Sequence, residues 1–496
     1  MNEPNRALLR AKKQQALDRI YTYHLRPWCG SVGNTFFISD TYPGLWLEHT
    51  FDAIAWAGYE PEQHDVSRSQ VRLFLSRQKP DGQLPCYIWK DKIGYSQIQE
   101  CVSFGRLCIE AAEQNPQDAA LLADAYEGCK KWDAWLCQHR MTRKNGLIEM
   151  FCGFDTGHDN SSRLDGMKYP NNICEDAAVP PKDDDLLPVL APDMNAVFYG
   201  DRMALAEMAE RLGRPEEAAD WREKAKQVKN ALFEICYDKE DEFFYDVDQC
   251  GRKRKIRSIS ITNVLTERVV DEALGGEIFE RWLHNPKEFW TPYPFPAVSA
   301  GDPTWRQNLP GNSWGYYSQG LTALRSLRWM EAYGKGAELN QLLEKWVERN
   351  ALRTGAASLD RRTFAKLAVV FQLYAGLSLR AAPFVWAVNQ HRRRQGDFSI
   401  KLWEERIPMK AVVTVLGKDR TGIIAEVSHL LYLKGVNILD ISQTILSGMF
   451  TMIMLVELGQ DSQYDQVRND LLALAEKMNL EIRMQRSDIF DAMHRI

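Results

Sequence analysis

The stretch Phe154-Asp155-Thr156-Gly157-His158-Asp159-Asn160-Ser161-Ser162-Arg163-Leu164-Asp165 places three carboxylates within eleven residues. Gly, Asn and Ser stand between them, residue types that favour turns and caps over helix interiors. The stretch therefore reads as a loop presenting acids and amides. Such a loop can cap helices or hold a cation. It can also present an acid for chemistry, because burial raises a carboxyl pKa and a protonated carboxyl can deliver its proton to a leaving oxygen.

Apolar residues on either side recur at i, i+3 and i+4, the helical period. The clearest examples are Ala119–Arg140, Asp193–Leu212, Glu216–Cys236 and Asn312–Tyr333. Helical hairpins alternating with polar loops predict one large α-helical domain from Met1 to about Gly355. No strict repeat of about 30–50 residues appears, which disfavours a regular solenoid. The chain has 496 residues, 45% hydrophobic and 26% charged, a globular balance that excludes bulk disorder and a fibrous chain. Lys+Arg 62 against Asp+Glu 67 gives net −5, so there is no general electrostatic footprint for nucleic acid. Fifteen Trp suit either a large core or a cleft in which flat rings stack on sugars. Ten cysteines lie between Cys29 and Cys250 with no C-x-x-C pair and no zinc spacing. No cofactor and no metal ligands are assigned, with a metal near Asp155–Asp165 left open. Scattered thiols suit a reducing compartment. The first residues, MNEPNRALLRAKKQQALDRIY, lack the apolar run of a signal peptide. Together these predict a cytoplasmic protein.

Two further stretches follow. Residues 356–408 form an atypical basic linker, with no Asp or Glu from Arg361 to His391 and a run of arginines at His391–Arg394. Phe364–Val388 is apolar but interrupted by Lys366, Gln372 and Arg380, which favours an amphipathic packing helix over a membrane span. Residues 409–496 predict strands at Lys410–Leu416, Asn437–Thr444, Met449–Leu458 and Leu480–Gln485. Helices are predicted at Thr421–Leu433 and Tyr464–Met478. That order, βαββαβ, defines a small α+β ferredoxin-like module.

The loop DTGHDNSSRLD resembles the E-S-G-x-D-N-S-P-R-x-D signature of glycoside hydrolase family 63, of mannosylglycerate-hydrolase-like enzymes and, more distantly, of trehalases. Other segments agree in order: Leu45-Trp46-Leu47-Glu48-His49-Thr50-Phe51 with W-x-W-D-x-x-F, Gln78–Pro85 with Q-x-x-D-G-x-I-P, Pro192–Ala196 with V-D-L-N-A, and Asn312–Gln319 with W-R-G-x-x-W. The resemblance covers about residues 30–350. It implies a mainly α fold, an (α/α)6 toroid barrel whose inner helices surround a sugar pocket, and a small carbohydrate substrate. It assigns the general acid to Asp159. Asp155 stands where the family has Glu, Glu48 where it has Asp, and Ser162 where it has Pro. Trp46, Trp89, Trp305 and Trp314 fall in or beside loops, where rings can stack on pyranose faces. Glu48, Asp52, Gln99, Glu100, Asp155, Asn160, Arg163, Asp165 and Asn312 are candidates to bind sugar hydroxyls, with loop capping as the alternative for each.

Glycoside hydrolysis needs a second carboxylate. The resemblance places a Glu base near the end of the barrel, after a T-G-x-F type turn. Here Leu352-Arg353-Thr354-Gly355 leads instead into Ala356-Ala357-Ser358-Leu359-Asp360, and no Glu occurs between Glu348 and Glu404. A shifted reading frame gives such a texture. The codons of Trp403-Glu404-Glu405 can contain GGAGG, a ribosome-binding sequence, just before Met409. The rival reading is a genuine fusion with a divergent linker. With the base absent, the barrel is either a glycosidase or a non-catalytic sugar-binding regulator.

Met409–Ile496 resembles the small stand-alone ACT-domain proteins through Gly417-Lys418-Asp419-Arg420-Thr421-Gly422-Ile423, Val436–Thr444 and Asp488–Ile496. Gly422 allows a tight strand-to-helix turn whose free N–H groups can hold a carboxylate. The resemblance implies a homodimer through the ACT domain and a small-molecule effector, an amino acid, near Asp419, Arg420, Thr421, Gly422 and Asn437. Dimerisation without a ligand is the alternative.

Overall fold

The computed structural model describes residues 20–21, 25–27, 31, 33–36, 44–59, 61–89, 92–168, 176–305, 314–315, 317–347, 409–434, 436–446, 448–458 and 464–486. The chain separates into two compact units. Asn312 and the basic linker lie outside the described residues, as does any boundary near 355 or 408.

The first unit is built from helix pairs. In chain order the helices are α1 (Thr50–Tyr59), α2 (His64–Ser76), α3 (Phe104–Gln114), α4 (Leu121–His139), α5 (Pro192–Arg211), α6 (Pro215–Ala231), α7 (Ile261–Thr266), α8 (Glu272–Ile278), α9 (Gly320–Met330) and α10 (Gly336–Val347). The odd-numbered helices pack in series, α1 on α3, α3 on α5, α5 on α7 and α7 on α9. The even-numbered helices stand outside them, with α2, α4, α6 and α10 each packed on the helix before it. This is the inner and outer ring of a helical (α/α)6 barrel, with four packed inner–outer pairs among the described residues.

Burial explains the division. The inner helix α5 is covered along most of its length, from Pro192 to Ala209. The outer helix α6 buries only Ala218, Trp221, Ala225, Val228 and Ala231, one stripe at helical spacing. Trp56, Trp132, Trp135, Trp329 and Trp346 are fully buried, and with Trp221, Trp282, Trp290 and Trp314 they make nine of the chain's fifteen Trp part of the core. Helix starts follow local chemistry. The Ser103 side chain accepts from Arg106 N to cap α3, worth about 1 kcal/mol. Pro192 and Pro215 open α5 and α6, where a missing N–H costs nothing. The predicted helix Asn312–Tyr333 starts only at Gly320, because Ser318 first bridges to Pro296 as extended chain. All eight described cysteines are free thiols. No helix among the described residues is long and apolar enough to cross a membrane.

Three strands too short to be read from periodicity, β1 (Gly44–Trp46), β2 (Tyr87–Trp89) and β3 (Lys92–Gly94), form a small antiparallel sheet. It carries an aromatic group: Trp46 stacks on Tyr87 at 5.4 Å and meets Trp89 edge-on at 5.5 Å.

The second unit has the expected order: β4 (Met409–Lys418), α11 (Ile423–Leu433), β5 (Asn437–Leu446), β6 (Met449–Leu458), α12 (Tyr464–Met478) and β7 (Glu481–Arg486). The sheet order is β5-β6-β4-β7, antiparallel throughout, with Val413 opposite Met454 and Met484. Val413, Val415, Met452, Met454 and Val456 are buried with Ile423, Val427 and Leu431 of α11 and Val467 and Leu471 of α12.

Candidate active site

The segments that enter the inner helices carry nearly every candidate residue. Trp46 and Glu48 precede α1, Gln99 and Glu100 precede α3, the 154–165 loop lies upstream of α5, and Trp314 precedes α9. The toroid therefore gathers these residues at one end, where inner-helix N-termini also place partial positive charge.

Within the loop the acids differ sharply. Asp155 is fully buried. One of its carboxylate oxygens accepts from Ile98 N at 3.0 Å, the other from Phe151 N at 2.8 Å and Cys152 N at 3.3 Å. Arg140 donates to both, at 2.6 and 3.3 Å, while also binding the Ala177 and Glu149 carbonyls and lying over the Phe151 ring. The Asp155 lone pairs are thus directed to holding the loop against the segment before α3 rather than toward a sugar.

Arg163 is likewise interior, at 1% exposure. It forks onto Asp193 at 2.6 and 2.9 Å and onto Asp246 at 2.9 and 2.5 Å. Arg163 thus occupies a bracing position, with both carboxylates inside the fold. Arg163 Nη1 also meets His158 Nδ1 at 3.3 Å. An arginine only donates, so Nδ1 accepts and Nε2 carries the imidazole proton. Burial and then Arg163 push the His158 pKa down to about 3, so the ring is neutral near pH 7. The neutral ring stacks on Trp314 at 4.1 Å, and Trp314 N donates to the Asp159 carbonyl at 2.9 Å. Trp314 is 3% exposed and serves as a clamp on the loop.

Asp159, held by that clamp, is half-buried, and Asn160 is exposed in the left-handed region at φ 56°. Asp165 is half-buried, and its carbonyl accepts from Arg254. Gln99 is buried with φ 51°, a backbone state that non-glycine residues rarely adopt. Among the described residues its Oε1 and that of Glu100 are buried with no hydrogen-bond partner. Burial, and then neighbouring Asp201, push Glu100 well above the carboxylate range. Asp201, which accepts from Ser103 Oγ and Gly105 N, is raised by burial to about 6. This inner pair tends to hold a proton. Asp52 is buried in the first turn of α1. Trp46 and Trp89 are half-buried in the aromatic group, and Trp305 is half-buried in the turn that begins at Asp302.

Glu48, 7% exposed, faces Arg325 Nη2 at 3.4 Å and His49 Nδ1 at 3.7 Å. Arg325 is a neighbour that the sequence does not mark as part of the site. It lines a recess with Ser103, Arg106, Asn263, Glu267 and Arg328. The other two arginines of the recess are also paired, Arg106 with Glu267 of its wall at 3.2 Å and Arg328 with Glu110. The recess is thus charged but balanced. Among the described residues no cluster of three or more His, Cys, Asp or Glu is placed to hold a metal.

Gly157 sits between the loop and Glu48. Its φ is 70°, and a Cβ there would lie 2.7 Å from Glu48 Oε2 and 2.9 Å from Cys101 Sγ. Gly157→Ala is expected to displace the Glu48 carboxylate and strain the loop. A loss of about 1–3 kcal/mol follows for the backbone state, measurable by denaturant titration. An unchanged midpoint would show that the loop relaxes freely.

In the second unit Asp419, Arg420, Thr421 and Gly422 form an exposed turn into α11, with Gly422 at φ 95°. Arg420 donates to the Met478 carbonyl at 2.8 Å. Asn437 is exposed at the start of β5.

A helical barrel with an acid-bearing loop at the mouth of its inner ring is the architecture of a glycoside hydrolase. Residues 42–360 match the mannosylglycerate hydrolase MGH1-like glycoside hydrolase domain and residues 410–485 an ACT domain. The chain belongs to the MGH1-like glycoside hydrolase family and carries a C-terminal ACT domain. Among solved structures it is similar to the family 63 mannosylglycerate hydrolase of Thermus thermophilus, with 17% identity and TM-score 0.55 over 73% of this chain and 99% of that one. Neutral trehalase of Saccharomyces cerevisiae gives 14% and 0.54 over 75% and 78%. At these identities the likeness is one of fold. The C-terminal module is 44% identical over 89 residues to a UPF0237 protein of Listeria innocua, covering 18% of this chain and all of that protein. It is 47% identical over 88 residues to one of Streptococcus mutans, again 18% of this chain and all of that protein.

Proposed function

We propose that the barrel hydrolyses an α-linked sugar, a glucoside or a trehalose-like or mannosylglycerate-like substrate, by acid/base chemistry with inversion, and that Asp159 is the general acid. The observation that carries this reading is the contrast within one loop. Asp155 is consumed by Arg140 and three amides, whereas Asp159 stays half-buried at the mouth, clamped through its backbone carbonyl by Trp314. Partial burial suits an acid that must hold a proton near neutrality. The test is hydrolysis of α-glucosides, trehalose and mannosylglycerate by the full chain and by Asp159→Asn. A second reading, a sugar-binding regulator without turnover, is favoured by the absence of Glu between residues 348 and 404. Sugar binding by calorimetry with no hydrolysis would select it. The free thiols support a reducing, cytoplasmic location.

For the second unit we propose dimerisation through β5, with an amino-acid effector held near the Asp419–Gly422 turn. The two sheet edges differ. Edge strand β7 presents Glu481 and Arg483, charges that discourage pairing. Edge strand β5 is ten residues long and exposes Leu439, Ile441 and Ile445. The double substitution Ile441→Lys, Ile445→Lys is expected to turn a dimer into a monomer in sedimentation of the full chain. A dimer that persists would place the contact elsewhere.

A further inference from the structure

We infer that His158 is a specificity-determining residue of the sugar site, its Nε2–H donating to one hydroxyl of the sugar bound beside Asp159. The inference rests on the glycosidase reading and names a donor within that same site. The resembling signature, E-S-G-x-D-N-S-P-R-x-D, leaves position 158 unspecified, so the histidine is a feature of this chain.

The backbone carries the ring inward. Gly157 turns the chain through the left-handed region at φ 70°. His158 N then donates to Thr156 Oγ1 at 3.3 Å, and its carbonyl accepts from Ser161 N at 3.3 Å. The imidazole is held at one edge and on one face. Arg163 Nη1 donates to Nδ1 at 3.3 Å, and the ring lies on Trp314 at 4.1 Å with 18° between the planes. Both neighbours are themselves fixed. Arg163 is gripped by Asp193 and Asp246, and Trp314 N donates to the Asp159 carbonyl at 2.9 Å.

One polar atom of the ring is left. With Nδ1 accepting, the proton sits on Nε2, across the ring from the Arg163 contact. Among the described residues Nε2 has no hydrogen-bond partner, and it is not one of the polar atoms sealed from solvent. The residue is 7% exposed, and that opening includes Nε2. An N–H held almost out of water without an acceptor is unfavourable, and a ligand hydroxyl that accepts from it relieves the penalty.

The surroundings place this donor in the site. His158 directly precedes Asp159, and its ring rests on the residue that clamps the Asp159 backbone. The charges that bear on the ring are those of Arg163, Asp193, Arg325 and Glu48. Arg325 lines the recess enclosed by residues of α1, α3, α7 and α9.

The neutral ring suits the task. An imidazolium beside Asp159 would favour the ionised form of that acid, whereas burial and then Arg163 keep His158 uncharged, its pKa near 3. A neutral donor gives no advantage to an anionic group, so an uncharged hydroxyl is the acceptor it fits. A fixed donor also discriminates sharply, because a sugar lacking that hydroxyl leaves the N–H unpaired.

The test uses the full chain and whichever of trehalose, mannosylglycerate or an α-glucoside the unmodified protein hydrolyses, with the monodeoxy analogues of that substrate. His158→Phe keeps a flat ring for Trp314 and removes the donor. It should lower kcat/KM on the parent substrate by about 5- to 100-fold. On one analogue, the one lacking the accepting hydroxyl, the variant and the unmodified protein should agree within about twofold. On the other analogues the gap should persist. His158→Gln, whose amide nitrogen reaches the Nε2 position, should recover most of the loss. His158→Asn, whose shorter amide does not, should recover none. Should the phenylalanine variant fail to fold, the Gln and Asn variants carry the same comparison across the analogues. A loss of equal size on the parent and on every analogue marks a structural role and overturns the assignment. So does a kcat/KM retained within about twofold on the parent. Both outcomes leave the glycosidase reading intact. An unmodified protein that hydrolyses none of the substrates overturns the glycosidase reading and this inference with it.

Discussion

Arg163→Met should lower the unfolding free energy of the barrel by about 3–5 kcal/mol, the cost of breaking a buried ion pair from one side. The substitution leaves Asp193 and Asp246 in the interior with their shared cation gone. They then face burial and each other, so both should bind protons more readily in the folded variant than in its unfolded chain. A carboxyl raised in this way favours the folded state at low pH and disfavours it as pH rises through the raised value. The deficit against the unmodified protein is therefore expected to be larger at pH 7 than at pH 5. Denaturant titrations at the two pH values check both the size and the sign. Adding Asp193→Asn and Asp246→Asn should recover part of the loss, because the uncompensated charge is then removed. A deficit that does not vary with pH would mean that the damage is one of packing rather than charge.

Asp159→Asn should reduce kcat by about 10²–10⁴-fold, the usual worth of a positioned general acid, or about 3–5 kcal/mol of barrier. The amide keeps the shape but has no acidic proton to give. The loss should be largest on trehalose, whose leaving alkoxide needs protonation, and smallest on an aryl glycoside, whose leaving group does not. The backbone anchor of Asp159 to Trp314 N is untouched by the change. Asp155→Asn makes the opposite pattern. It breaks the buried pairing with Arg140, so its effect should appear in the melting midpoint, with any loss of turnover the same on every substrate. Turnover that survives Asp159→Asn on trehalose would sink the acid assignment.

The fold is legible where periodicity runs long. Met449–Leu458 and Tyr464–Met478 match the sequence reading residue for residue, and three of the four barrel helices are found within a few residues of their apolar patterns, the exception being the one expected from Asn312, which starts at Gly320. β1, β2 and β3 are invisible in the sequence, because three residues cannot display a period of two. The site is legible as a stretch but not as roles. Asp155 and Asp159 have the same side chain and nearly the same neighbours in sequence. They are told apart by Arg140 and Ile98, 15 and 57 residues from Asp155. Arg163 reads as a sugar ligand because Asp193 and Asp246 are 30 and 83 residues distant. The pairing of Glu48 with Arg325 spans 277 residues. Such partners meet only when the ring of inner helices closes.

Asp155 also limits how this chain can change. Its carboxylate is 0% exposed and ringed by a guanidinium and three amide hydrogens. The resembling enzymes carry Glu at that position and Asp where this chain has Glu48. An added methylene at 155 has no room unless the surrounding shell moves, and overpacking costs about 1–3 kcal/mol. Glu48 meets the same loop two residues later, at Gly157, so the length of the acid at each position is fixed by packing against one short stretch of backbone. A longer acid at 155 is therefore disfavoured unless the shell of Arg140 and the three amides moves with it.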